Sequence, residues 1–359
     1  MIDTKYQKIV IKIGSNVLSK TAGDLDTVTM DKLCKQISYL HKLGIDIVLV
    51  SSGAVASGKS LFKPIHPTDD ISARQMYAAI GQVKLLSNYY ELFNSVHLNC
   101  AQVLVTKEDF RDRNHYMNMQ NCFQVLLRNK ILPIVNENDV ISITELMFTD
   151  NDELAGLVAG MINADALIIL SNIDGIYDGN PALPGSKVIY DIDAVHGKAD
   201  TFISASRSDF GRGGMLTKYH IARKVCKSGI AVHIANGKND DILLQITTGQ
   251  RVGTYFKPLQ KSTSLKKRLS FSETFAKGKV HINAGAASAL VSSKAVSLLP
   301  VGITRIEGDF QKGDIVLIID NNAKVLGLGK VQYHAKKAME LIGEKNQKPL
   351  VHYDYLFLY

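Results

Sequence analysis

Short apolar runs alternate with segments of helical period along the first two thirds of the chain. Lys8–Ile13 (KIVIKI), Ile45–Val50 (IDIVLV), Cys100–Val105, Ile131–Val135, Ala166–Leu170 (ALIIL) and Ala231–Ile234 read as strands. Between them, Met30, Leu33, Ile37, Leu40 and Leu43 recur at helical spacing and stop at Gly44. Ala73–Phe93, Asn114–Arg128, the Ala/Leu/Gly-rich run after Asp150, and Met215–Ser228 read as further helices. This spacing predicts an α/β fold: an open, mostly parallel sheet with helices on both faces. Four strands run into small or polar residues, at Gly14-Ser15, Ser52-Gly53, Asn136–Asp139 and Ser171-Asn172. Open parallel sheets bind ligands at the carboxyl ends of their strands, so one cleft is expected along a single sheet edge.

The pattern changes after Thr254. FKPLQKSTSLKKRLSF is basic and polar, and the period then falls to two through KVHIN, ITRIEG, DIVLIID and VLGLGKVQY. The expected division is a large domain over 1–256, a basic linker over 257–276, and a small β-rich domain over 277–359. Net charge is +8, but it is local: residues 255–279 carry seven Lys/Arg against Glu273, whereas residues 1–254 are balanced at 26 against 26. Whole-chain basicity is therefore a poor argument for nucleic-acid binding. A hydrophobic content of 46% with 21% charged residues is that of a soluble globular protein, and no apolar run is long enough to span a membrane. Four scattered cysteines without CxxC spacing argue against a zinc site or a disulfide framework. With an N-terminus that leads directly into a strand, they point to a cytoplasmic protein.

Three stretches carry candidate chemistry. Gly53–Ser60 fits the phosphate-loop pattern G-x-x-x-x-G-K-[ST] and follows a strand. However, Pro64 and Pro67 come soon after Lys59, and proline costs about 3 kcal/mol inside a helix. The helix that such a loop needs at Lys59 is thus nearly excluded, and the match reads as coincidence. Ser52, Gly53 and Ala54 are expected instead to offer backbone N–H groups to an anion. The second stretch, Phe210–Lys218 (FGRGGMLTK), is glycine-rich, leads into a helix and places Lys218 in its first turn, as a phosphate site would. A second lysine, Lys12, sits near the end of a buried strand. Such a charge needs an anionic partner, and Asp150 is a candidate. The third stretch holds two polar clusters, Asn136–Asp139 and Asp150–Glu153, the latter positioned to cap a helix.

In order, IKIGSNVL, VSSGAVASG, the helix with AAIGQ, NENDV, TDNDELAGLVA and the GRGGMLTK loop resemble the glutamate 5-kinases of the amino acid kinase superfamily. The β-rich tail is similar to a PUA domain, and the resemblance covers nearly the whole chain. It implies phosphorylation of the γ-carboxylate of L-glutamate by ATP with Mg²⁺, the first step of proline synthesis. It implies catalytic roles for Lys12 and Lys218, with Asp150 orienting both. Ser52, Gly53, Ala54, Asn138, Asp139 and Asn151 would bind the amino acid. Lys12, Gly14, Ser171, Asn172, Arg212, Gly213, Gly214, Met215, Leu216, Thr217 and Lys218 would bind ATP, and no side chain is assigned to a metal. Two departures stand on the nucleotide side: Ser171-Asn172 where the family often has Thr-Asp, and Asn180-Pro181-Ala182 for Asp-Pro-Arg. The resemblance further implies a homo-oligomer (dimer or tetramer), feedback inhibition by proline, and hand-over of the acyl phosphate to a separate glutamyl phosphate reductase. Two alternatives remain: an aspartate or acetylglutamate kinase of the same superfamily, and an RNA-binding protein led by the tail. RNA is disfavoured because the tail is nearly neutral and the linker lacks interleaved aromatics.

Overall fold

The computed structural model describes residues 4–20, 24–142, 148, 150–181, 183–193, 214–259, 276–292 and 296–358. The chain forms two compact units, Met1–Leu259 and Gln260–Tyr359. The first unit contains strands β1 (Lys8–Ile13), β2 (Asp46–Ser51), β3 (Cys100–Val105), β4 (Leu132–Glu137), β5 (Ala166–Ser171), β6 (Asp191–Ile192), β7 (Ala231–Asn236) and β8 (Thr254–Phe256). Its helices are α1 (Ser15–Leu18), α2 (Thr27–Lys42), α3 (Ala54–Leu61), α4 (Asp70–Ser95), α5 (Lys107–Arg111), α6 (Arg113–Arg128), α7 (Asn151–Ile162), α8 (Met215–Lys227) and α9 (Ile242–Thr247).

The eight strands form one sheet in the order β3-β4-β2-β1-β5-β7-β8-β6. All pairings are parallel except β7 with β8. The four strands that end in small or polar residues, β4, β2, β1 and β5, are therefore neighbours whose carboxyl ends share one edge. Strand alternation divides the faces. Ile9, Ile11 and Ile13 of β1 join Leu33, Ile37 and Phe93 in one core cluster, while Val10 and Lys12 point the other way. On that second side, α7 packs against β1, β5, β2, β4 and α8. Its run from Leu154 to Ile162 is buried on every side, which its alanines and glycines permit by allowing close approach.

The α3–α4 pair sets the shape of the cleft. Gly53 has a φ of +108°, which lets the chain turn from β2 into α3. A Cβ on Gly58 would fall 1.9 Å from the Tyr77 carbonyl oxygen, and one on Gly81 would fall 1.8 Å from that of Ala54. The two helices thus touch backbone to backbone. The helix at Gly58-Lys59-Ser60 begins five residues earlier than a phosphate loop requires, with exposed Lys59 in its last turn. The phosphate-loop match is a helix-packing motif.

The second unit holds β9 (Gly278–Ile282), α10 (Ala284–Val291), β10 (Ile303–Glu307), β11 (Ile315–Ile319), β12 (Val325–Val331), α11 (Ala335–Glu340) and β13 (Val351–Leu358). Its sheet runs β10-β9-β11-β12-β13 over a core that includes Val280, Phe310, Ile318 and Leu350. No helix among the described residues is long and apolar enough to cross a membrane.

Candidate active site

A cleft of about 1420 Å³ opens along the carboxyl ends of the central strands. Its floor holds a buried ionic triad. Lys12, penultimate on β1, places Nζ 2.7 Å from Asp152 Oδ1. Lys218, in the first turn of α8, places Nζ 2.9 Å from Asp152 Oδ2. The three residues are only 5%, 7% and 0% exposed, so the contacts are shielded from solvent. Burial opposes charge on Asp152, but Lys12 and then Lys218 outweigh it and hold the carboxyl below its ordinary range. Both lysines line the cleft, whereas Asp152 lies beneath it. One carboxylate thus points two ammonium groups at the same space.

Asp150 caps α7, its Oδ1 accepting from the N–H groups of Asp152 and Glu153 at 2.9 and 3.1 Å. Its Oδ2 is buried and has no hydrogen-bond partner among the described residues. Burial, then the neighbouring Asp152 charge, push its carboxyl up to about 6 against the pull of Lys12 and Lys218. The resemblance assigned the orienting of the two lysines to Asp150, and the structure corrects this: Asp152 makes both ion pairs. In TDNDEL the two aspartates lie two positions apart, and the residue that caps the helix cannot also turn its bonded oxygen to the lysines.

Beyond the triad, the ends of β2 and β4 meet through Asn151. Its Nδ2 donates to the Ser51 carbonyl, Ser52 Oγ and Asn136 Oδ1 at 3.0–3.1 Å. Asn136 is fixed in turn, its Nδ2 donating to Gln82 Oε1 and its Oδ1 accepting from the Glu137 amide. Glu137 Oε1 accepts from the Phe148 amide. Burial raises the Glu137 carboxyl, and the nearby Asp139 adds to this against the Phe148 bond and Arg74. Arg74, from α4, donates to Asp139 Oδ1 through Nη2 at 2.7 Å and Nε at 3.2 Å. The amides at the β2 turn are fewer than expected: the Ser52 N–H donates to the Ile13 carbonyl at 3.1 Å. Among the described residues, this leaves Gly53 and Ala54 to offer theirs.

A model of the amino acid kinase family matches residues 7–236. The chain belongs to the amino acid kinase family. A PUA domain model matches residues 278–353, the β-rich second unit. Over nearly its whole length the chain is similar to proteins named glutamate 5-kinase. That of Bacteroides thetaiotaomicron is 51% identical over 99% of both chains. That of Chlorobaculum tepidum is 47% identical over 98% of both, and that of Dehalococcoides mccartyi 38% identical over 97% of this chain and 94% of the other.

In this amino acid kinase the cleft gathers Lys12, Gly14, Ser52, Gly53, Ala54, Asp139, Asp150, Asn151, Ser171, Asn172, Gly214, Met215 and Lys218. Asn138 does not line it: its backbone accepts from the Ile141 and Ser142 amides. Leu216 and Thr217 lie on α8 away from the cleft lining, with Leu216 exposed. Arg212 and Gly213 fall outside the described residues, as does Ala182. Reading the residues missed Arg74, and it placed Asp152, Asn136 and Glu137 within the two polar clusters without giving them a role of their own. The buried run around Asp152 could have flagged it, because a charge on a helix buried all round needs partners. Nothing local marks Arg74, whose partner is far away in sequence.

Proposed function

We propose that the protein transfers the γ-phosphoryl group of ATP to the γ-carboxylate of L-glutamate, giving L-glutamyl 5-phosphate for proline synthesis. The observation that carries this reading is the Lys12–Asp152–Lys218 triad under the cleft. A carboxylate oxygen attacks the γ-phosphorus, the bond to the β,γ-bridging oxygen breaks, and ADP leaves with that oxygen. The nucleophile is already ionised, so no general base is needed. Catalysis is then positioning plus fixed positive charge. Lys12 and Lys218 supply that charge, and Asp152 holds both ammonium groups in place before substrates arrive. Ser171, Asn172, Gly214 and Met215 border the nucleotide end of the cleft. Asn151, Asp139 and the turn at Ser52–Ala54 border the amino-acid end, where carboxylate and amide acceptors suit an α-ammonium group.

Mg²⁺ is the metal this reading expects. It binds phosphates with one or two carboxylates, and the unpartnered Oδ2 of Asp150 is an oxygen of that kind. When bound, the ion would neutralise phosphate charge. The same reading places the protein in the cytoplasm as a dimer or tetramer. It also expects proline to inhibit at the glutamate end, and a reductase to consume the labile acyl phosphate. The test is ATP-dependent hydroxamate formation with glutamate, aspartate and acetylglutamate. Glutamate should be strongly preferred, and preference for either other acid would overturn the assignment.

A further inference from the structure

We propose that Arg74 reads the α-carboxylate of the amino-acid substrate, as one half of a dipolar clamp whose other half is Asp139. The inference rests on the functional reading above and adds a specificity residue to it. An α-amino acid presents an ammonium and a carboxylate side by side. A site that selects for both needs an anion and a cation at the same separation. Asp139 and Arg74 are such a pair, both lining the cleft, 2.7 Å apart at their nearest atoms.

The donor inventory is what makes the pair a clamp rather than a closed ion pair. A guanidinium has five N–H donors in a planar fork. Here Nε and Nη2 converge on a single oxygen, Asp139 Oδ1. The Nη1 group and Asp139 Oδ2 make no hydrogen bond among the described residues, and the Arg74 side chain is 31% exposed. Substrate can therefore add to the pair without breaking it, with its ammonium on Asp139 and its carboxylate on the outer edge of the fork. Charge points the same way. Glu137 Oε2 lies 3.9 Å from Arg74 Nη2, so two carboxylates face one guanidinium. Without Arg74 this end of the cleft would repel a substrate that carries two carboxylates itself. Lys12 and Lys218 are committed to Asp152 at the other end. Lys59, the other cleft-lining cation among the described residues, sits over the Tyr77 ring at 5.8 Å.

The test pairs side-chain deletion with substrate-group deletion. L-Glutamate, 4-aminobutyrate (no α-carboxylate) and glutarate (no ammonium) are compared as substrates, or as competitive inhibitors where turnover is slow. Arg74→Gln should lower kcat/KM for glutamate by about 10- to 100-fold, the worth of a charge-assisted contact. The loss for 4-aminobutyrate should be much smaller, with the KM for ATP unchanged. Arg74→Lys should fall between, because it keeps the charge and loses the fork. Equal losses for glutamate and 4-aminobutyrate would mean that Arg74 only props Asp139, and would overturn the inference. Failure of the wild-type protein to phosphorylate glutamate would instead remove the functional reading together with it.

Discussion

Lys12 Nζ lies 2.7 Å from Asp152 Oδ1, with the lysine 5% exposed and the aspartate fully buried. The second oxygen of the same carboxylate holds Lys218 at 2.9 Å. Removing Asp152 leaves two ammonium groups facing each other without a counter-charge. Breaking a buried pair of this kind costs about 3–5 kcal/mol. Asp152→Ala is expected to lower the unfolding free energy by that order in urea titrations. Asp152→Asn keeps the shape, and its kcat should fall about 10²- to 10³-fold with a small change in the glutamate KM. Lys12→Ala and Lys218→Ala should each collapse kcat while retaining the fold. Near-wild-type turnover of Lys12→Ala would remove the triad from the mechanism.

Asp150 makes the opposite electrostatic statement. Its carboxyl is pushed up to about 6 in the folded protein, from an ordinary value of 3.8. Between those values the folded state holds a proton that the unfolded state has released. The group's contribution to stability therefore falls as pH rises from about 4 to 6 and stays low above. Asp150→Asn keeps a capping oxygen and removes the charge. Its melting temperature should exceed the wild-type value at pH 7.5 by about 2–4 °C. The gap should narrow steadily from pH 6 to pH 4, while turnover at pH 7.5 falls. A gap that does not change with pH would contradict the assignment.

Most of the sheet was legible in the sequence because its central strands, β1, β2, β4, β5 and β7, are buried on both faces and read as apolar runs. β1 and β3 match their expected limits residue for residue, and β7 runs two residues past its expected end, through Ala235 and Asn236. α3 was not legible. Its residues, AVASGKSL, look like a loop or a phosphate site until α4 is beside them, because Gly58 and Gly81 mark a helix contact only in three dimensions. In the site, Lys12 and Lys218 could be picked out because a lysine near a buried strand end and one after a glycine loop are locally unusual. The choice between Asp150 and Asp152 could not be made from spacing. It depends on which carboxylate the helix N-terminus claims. Arg74 and Asp139 are joined only by tertiary packing.

The α3–α4 contact yields a prediction that also tests the rejected phosphate-loop reading. Gly81→Ala would place a methyl 1.8 Å from the Ala54 carbonyl oxygen and 2.4 Å from the Gly58 nitrogen. Neither atom belongs to a flexible side chain, so the helices must part. The expected cost is about 1–3 kcal/mol or more, with loss of glutamate affinity because Ala54 borders the cleft. Lys59→Ala, at an exposed position, should change stability by no more than about 0.5 kcal/mol and leave kcat nearly intact. A collapse of kcat in Lys59→Ala would restore the phosphate-loop reading.

Asn151 offers a sharper test of how the amino-acid end is built. Its Nδ2 faces three acceptors, the Ser51 carbonyl, Ser52 Oγ and Asn136 Oδ1. Asn136 cannot simply turn its amide round, because its Oδ1 already accepts from the Glu137 amide and its Nδ2 donates to Gln82. Asn151→Asp is nearly isosteric, yet it replaces the donor with an acceptor among oxygens. The unmet acceptors and the new repulsion should cost about 1–3 kcal/mol. Asn151→Ala leaves room for water and should cost less. The ordering of glutamate KM is then wild type lowest, Asn151→Ala next and Asn151→Asp highest, with the KM for ATP changing little. The same ordering should hold in reverse for melting temperature at pH 8, where the introduced carboxylate is ionised. If Asn151→Asp were as stable and as tight for glutamate as wild type, the amide would not be what joins the ends of β2 and β4, and the amino-acid pocket would have to be assigned elsewhere in the cleft.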